Sequence, residues 1–331
     1  MVVLRRLAPV PAQLVEGPGM VEQAVLGAAY GADSADVELV SSVLVAAGLT
    51  VDWVDGSSRR MQFSGPAAAV AAAFGTTLTR TTSPDPVTGV PVDHRHRIGE
   101  LSVPATLDGV VAVLGIDDRP QARAYFRLAA AGGRTASTTA SFTALQLGQA
   151  YAFPAGTDGT GQRLAIIELG GGYGQPDLDA YFAGLGLATP TVSAVGVDGA
   201  LNVAGTDPQG ADGEVLLDIE VAGALAPNAT IVVYFAPNTD RGFLDAVATA
   251  VHAAPTPAAV SISWGQSEDA WTGQARAALH QVFIDAAALG VTVCVASADN
   301  GSSDGATDGS VHVDFRRPAR TPWPAAAPAC S

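Results

Sequence analysis

Lysine is absent from this sequence. All 17 basic residues are arginine, which with abundant Ala and Gly points to GC-rich coding. Charged residues of any kind are scarce, at 15% of the chain, and the net charge is −15. The excess is uneven. Residues 1–138 carry 13 acids against 11 Arg, and residues 139–331 carry 19 acids against 6 Arg. A chain this poor in positive charge has no basic patch for phosphates, so nucleic acid is not an expected partner. An acidic second half suits work at low pH, where protonation relieves self-repulsion. There are two cysteines, Cys294 and Cys330, too few for a disulfide framework or a cysteine metal site. Cys294 lies in an apolar run and reads as a small core residue. No stretch is long and apolar enough to span a membrane. Residues 1–14 include Arg5 and Arg6 but no apolar core, so no signal peptide is visible.

Against those absences stand 331 residues, 48% of them hydrophobic, enough for two domains. Residues 1–118 read as a small α+β domain. A helix capped by Ser34 ends near Ala47, with Gly48 just beyond. Strands follow at 49–54 and 60–64, joined by an Asp55-Gly56 turn. A second helix at 66–74 stops at Gly75, and a strand covers 76–80. This βαββαβ-like order suggests a ferredoxin-like fold. Residues 119–140 are a small, polar linker without periodicity. From Ser141 onward, apolar runs at 164–167, 230–235, 259–262 and 291–296 read as buried parallel strands. Helices at about 176–185, 213–225, 242–253 and 271–289 alternate with them. That pattern means an α/β domain with a parallel sheet.

The helix from Gly213, stopped by Pro227, carries Glu214 and Asp218 four residues apart. Their side chains meet on one face, in line with Val221 and Leu225. Like charges at this spacing weaken an isolated helix by roughly 0.2–0.5 kcal/mol. Two adjacent carboxylates do not both ionise cheaply, so one holds its proton to higher pH and becomes available for acid–base work. Acidic residues near a helix N-terminus also suit its dipole, so the pair by itself does not decide between the two readings.

The surrounding sequence does. Tyr151-Ala-Phe-Pro154, Ile166-Ile-Glu-Leu-Gly-Gly-Gly-Tyr173, the whole stretch from Gly213 to Pro227, Tyr234-Phe-Ala-Pro-Asn238, Ser261-Ile-Ser-Trp-Gly265 and Ala298-Asp-Asn-Gly301 follow one another in an order that resembles the sedolisins. These are serine-carboxyl peptidases, and the resemblance is to their kumamolisin-like pro-enzymes, up to about Phe315. It implies a subtilisin-like catalytic domain over 141–315, preceded by an activation pro-domain over 1–118 and a linker, 119–140, with the processing site. It implies acid-active endoproteolysis of a protein or peptide substrate, with the chain's own pro-domain as a partner and an extracellular setting. Glu214 becomes the base, Asp218 its orienting partner, Asp299 an oxyanion donor and Glu168 a supporting acid. Ser263, Trp264 and Gly265 line the substrate cleft; ordinary core packing is the plainer reading for Trp264.

The family's serine lies in a Gly-Thr-Ser motif, which does not occur here. The calcium site implied for the intact family fold is near the C-terminus and absent with it, so no metal or other cofactor is expected in this chain. Residues 316–331 read as an out-of-frame tail. Back-translated with freely chosen GC-rich codons and shifted by one base, 315–331 can encode Pro-Ala-Ser-Ser-Pro-His and Ala-Val-Ala-Cys-Gly-Gly-Thr, a text compatible with the continuation that the resemblance implies. The expectation is a truncated, inactive, poorly soluble peptidase. A second reading is a non-catalytic pro-domain protein that inhibits or chaperones an intact relative. Other motifs carry less. Gly170-Gly-Gly-Tyr-Gly174 fails the dinucleotide pattern and reads as a strand-to-helix turn. Gly301-Ser-Ser-Asp-Gly305 matches a nucleophile elbow by chance, with no helix opening after it. Asp304 and Asp308 read as turn residues rather than a calcium loop. His94-Arg-His-Arg97 is weak as a metal signal and reads as a polar strand or loop, with acid loosening of the pro-domain as a hypothesis.

Overall fold

The computed structural model of the protein describes residues 1–84, 90–126, 142–297, 301–304 and 308–312. The amino-terminal region contains strand β1 (Val2–Leu4), helices α1 (Ala12–Val15), α2 (Gln23–Tyr30) and α3 (Ser34–Ala46), strands β2 (Thr50–Asp55) and β3 (Arg60–Ser64), helix α4 (Ala67–Ala73), strands β4 (Thr77–Pro84) and β5 (Pro91–Ile98), and strand β6 (Val110–Val113). Helix α3 is capped by Asp33, whose side chain accepts the Ala35 amide, so Ser34 is its first residue rather than its cap. Four strands pair antiparallel in the order β2-β3-β1-β6. That is the ferredoxin-like order, with one correction. The strand after α4 does not close this sheet. It pairs with β5 in a separate hairpin, and β6 takes the fourth place. Residue 76–80 periodicity cannot tell the two apart, because the choice is one of non-local pairing.

The second region begins with the short strand β7 (Arg123–Ala124) and continues with α5 (Ala144–Ala150), β8 (Arg163–Glu168), α6 (Gln175–Gly184), β9 (Thr191–Gly196), α7 (Ala211–Leu225), β10 (Thr230–Phe235), α8 (Asp240–Val251), β11 (Ala259–Ile262), β12 (Trp264–Gly265), α9 (Gly273–Ala288) and β13 (Thr292–Val295). Five parallel strands run in the order β13-β11-β8-β10-β9. The order reverses around β8, and ligands of open α/β sheets gather at the strand ends beside such a switch point. One face of the sheet packs on α6 and α7 through Phe182, Val215, Ile219, Ile231 and Val233. The other packs on α8 and α9 through Val232, Val247, Val260, Leu279 and Val282.

At the sheet edges one strand goes unread and one expectation fails. Strand β9 does not stand out in the sequence because it is an edge strand with four of its six residues exposed. Cys294, read as core, is exposed on edge strand β13. Cys330 and the tail lie outside the described residues.

The two sheets are joined through α8 and α9. Met1, Val3, Leu26, Ala112 and Leu114 from the amino-terminal region share one core with Phe243, Leu244, Val247 and Leu279. The opposite face of the four-stranded sheet is covered by α3 and α4 through Val40, Leu44, Met61 and Phe74. Gln274 bonds both backbone groups of Val113, at 3.0 and 2.8 Å. Arg59 and Arg6 reach Asp285 at 2.9 and 2.6 Å, and Arg60 reaches Asp245 at 2.6 Å. Among the described residues no helix is long and apolar enough to cross a membrane.

Candidate active site

The site forms where β8 and β11 end, against the first turns of α7. Helix α7 starts because Asp207 accepts the Ala211 amide at 2.9 Å, taking a donor that the helix leaves unused. Asp212 in turn accepts the Gly205 and Asp207 amides at 3.1 and 2.7 Å and holds the loop before it. The Gly-rich turn after β8 packs on this helix start. Gly171 has φ of +68°, and a Cβ there would lie 2.5 Å from the Ala211 carbonyl carbon. The turn is therefore a packing device, as its failed dinucleotide pattern implies.

Glu214 sits in the first turn of α7 and is buried. Asp218, one turn on, accepts the Ser263 hydroxyl at 2.9 Å on Oδ1 and 2.8 Å on Oδ2. Glu168, the last residue of β8, is fully buried, and its Oε2 accepts the indole N–H of Trp264 at 2.7 Å. The structure thus unites Glu214, Asp218, Glu168, Ser263 and Trp264. Val221, expected to continue the carboxylate face into the core, is exposed; Val215 and Ile219 are what anchor α7. Trp264 is a core residue as well as a member of the acidic group, so its two readings are both met. Asp299 lies outside the described residues.

The electrostatics follow from this crowding. Burial pushes the Glu168 carboxyl well above its usual range, the charge of Asp218 pushes it further, the Trp264 bond opposes, and Glu214 adds to the rise. Burial raises Asp218 to about 6 against the pull of the Ser263 hydroxyl. Among the described residues no cation contributes to either shift. Such a group holds protons in acid and hands them on as pH rises.

Sequence reasoning missed what lies across the site. Residues 123–126 are extended there. Strand β7 pairs antiparallel with β12, Ala124 opposite Trp264 and Arg123 opposite Gly265, and the Tyr125 amide bonds the Ser263 carbonyl at 3.3 Å. Arg123 pairs with buried Asp304 at 2.8 Å. Phe126 packs on Gly213, where a Cβ would come within 2.3 Å of its ring. Glycine at the second residue after the helix start is the one sequence sign of that close approach. Gly301–Ser303 form a short 3-10 turn with Asp304 just after it, and Asp308 caps a turn at Ser310, both as read.

No family model matches the sequence. Kumamolisin of a Bacillus species is 48% identical over 312 residues, 91% of this chain and 55% of that protein. This chain belongs to the sedolisin family. A tripeptidyl-peptidase, sed5, of Aspergillus fumigatus is 29% identical over 243 residues, covering 68% of this chain and 40% of its own length. A solved Pseudomonas sedolisin, complexed with two molecules of pseudo-iodotyrostatin, aligns with a TM-score of 0.43 at 24% identity, over 50% of this chain and 47% of that one. The chain spans about half the length of the curated relatives it matches. Calcium, which the family fold implies, has no all-oxygen cluster of acidic side chains among the described residues. The group of three or more His, Cys, Asp or Glu with converging ligand atoms among the described residues is His94, His96 and Asp117, and two imidazoles do not suit an ion that takes six to eight oxygens.

Proposed function

We propose that the chain carries the acid half of a sedolisin-type serine endopeptidase, together with the segment that covers its cleft. Glu214 accepts the proton of a serine nucleophile, and Asp218 orients and tunes it. Glu168, held by Trp264, shares its burial and its like charge with that pair, so the relay works in acid. Asp299, protonated, donates to the oxyanion of the tetrahedral intermediate. Ser263 positions Asp218 and shapes the cleft with Trp264 and Gly265. The observation that carries the reading is the buried carboxylate group at the ends of β8 and α7, hydrogen-bonded on two sides and facing an extended peptide. That peptide, residues 123–126, lies antiparallel to an open strand as a bound substrate would. This arrangement supports residues 1–118 as a pro-domain and 119–140 as the linker that is cut. The substrate is a protein or peptide, and the setting is extracellular.

The sequence contains no Gly-Thr-Ser, so the chain alone is expected to turn over nothing. The test is to join it, after Phe315, to the downstream half of the Bacillus kumamolisin and assay a quenched peptide at acid pH. Activity is expected, and Glu214→Gln should lower it by about 10² or more. A joined protein that cleaves equally well as Glu214→Gln or Asp218→Asn would sink the assignment.

A further inference from the structure

Outside the carboxylate site, two histidines and an aspartate converge in the amino-terminal region. His94 and His96 are two apart on β5, so they leave the strand on the same face. Asp117 comes from the segment that follows β6 and is brought to them by Arg95. The Arg95 guanidinium bonds the carbonyls of Ile116 and Gly115 at 2.7 and 2.8 Å, and the Asp118 amide bonds the Arg95 carbonyl at 3.1 Å. Nδ1 of His96 lies 2.9 Å from Asp117 Oδ2, and Nδ1 of His94 lies 3.8 Å from Oδ1. All three ligand atoms fall within 4.8 Å of one another. Bonds of about 2.0–2.2 Å around a tetrahedral zinc place neighbouring ligand atoms roughly 3.3–3.5 Å apart. Small side-chain adjustments close the difference.

We propose that His94, His96 and Asp117 bind a divalent transition-metal ion of the zinc class. The donor set selects the chemistry: two imidazoles and one carboxylate suit Zn²⁺, Co²⁺, Ni²⁺ or Cu²⁺ and not Ca²⁺ or Mg²⁺. The second nitrogen of His94, Nε2, lies 2.8 Å from the Ser83 hydroxyl. That bond fixes the ring and leaves Nδ1 as the ligand atom, the usual arrangement around a metal-bound histidine. His94 is buried, whereas His96 is one-third exposed, which provides an entry side and room for a water as fourth ligand. One group competes. Arg119 Nη2 lies 3.1 Å from Asp117 Oδ2, on a side chain that is half exposed and free to swing away. The Arg97 and Arg119 amides also bond Asp117, at 3.3 and 3.2 Å, and hold the carboxylate in place. An ion here ties the β4–β5 hairpin to residues 115–119. That segment is anchored on the second region by the Gly115 amide on Asp240, at 3.0 Å, and leads directly into residues 123–126 across the cleft. The clasp does not depend on the peptidase reading.

The experiment uses tag-free, chelator-treated full chain at pH 7.5, titrated with Co²⁺ alone and then with Zn²⁺ in competition. One equivalent of Co²⁺ should bind with visible d–d absorption that Zn²⁺ abolishes, and Zn²⁺ should raise Tm. His96→Gln, at a partly exposed position where folding is not at stake, should weaken binding at least tenfold and remove the Tm shift. Arg119→Gln should tighten it. His312→Gln, at a histidine outside this cluster that pairs with Asp269 and Asp308, should change nothing. No saturable Co²⁺ binding, or binding unchanged in His96→Gln, overturns the proposal.

Discussion

Asp285 and Glu168 are both fully buried carboxylates, yet the protein treats them in opposite ways. Asp285 lies between the two regions with Arg6, Arg59 and His252 around it. Burial alone would raise it, but the His252 bond and the charges of Arg59 and Arg6 outweigh burial and hold it at about 2. Glu168 meets an indole N–H and two more carboxylates, and is driven upward. The residue types are alike and so is the burial. What differs is the sign of the neighbours. Asp285 joins two parts of the fold with cations at hand, whereas the charged groups that move Glu168 are the carboxylates Asp218 and Glu214.

The contrast can be broken from its structural side first. Asp285→Ala leaves the Arg59 guanidinium, 2% exposed, facing no carboxylate. The expected loss is about 3–5 kcal/mol in urea unfolding, and a loss below about 1 kcal/mol would mean that packing of α8 and α9, not the ion pairs, joins the regions. Asp218→Asn should act the other way. A carboxyl raised to about 6 in the fold keeps a proton that the unfolded chain has given up, so stability falls as pH rises from about 4 to about 6. At about 1.4 kcal/mol per pKa unit that loss is about 3 kcal/mol, and the asparagine variant should show none of it. Asp285 supplies the mirror image in more acid solution. Its contribution is present above the unfolded value near 4 and is lost as pH falls through about 2, about 2.5 kcal/mol in all. Comparing urea midpoints of the parent and Asp285→Asn between pH 4 and pH 2 reads it directly. The smallest change is Ser263→Ala. Removing the hydroxyl that lowers Asp218 should move that carboxyl's titration upward, as read by carboxyl-carbon NMR, with a stability cost of about 1 kcal/mol. An unmoved titration would mean that the Ser263 bond does not tune the pair.

Much of this was legible beforehand. Strands β10 and β11 fall on the residues that their apolar runs indicate, and α7 begins two residues before Gly213. Buried parallel strands and the helices between them write themselves as long local patterns, because every residue on both faces must be apolar. Strand β9 and the true fourth strand of the amino-terminal sheet were not legible. The first is exposed at an edge, and the second is four residues whose only mark is its partner, β1. The histidine pair on β5 was visible as a spacing, but its third ligand stands 21 residues away from His96 and enters only through the Arg95 contacts.

The sequence alone determined that Glu214 and Asp218 would share a helix face, since spacing along a helix is local geometry. It determined the α/β class for the same reason, and the family through the order of its matched segments. Tertiary structure decided the rest of the site. Glu168, Trp264 and Ser263 come from strand ends 45 to 50 residues from the helix pair, and residues 123–126 from farther still. Their meeting depends on which strands lie side by side, and the protonation of Glu168 and Asp218 depends on the burial and the charges that only this meeting creates.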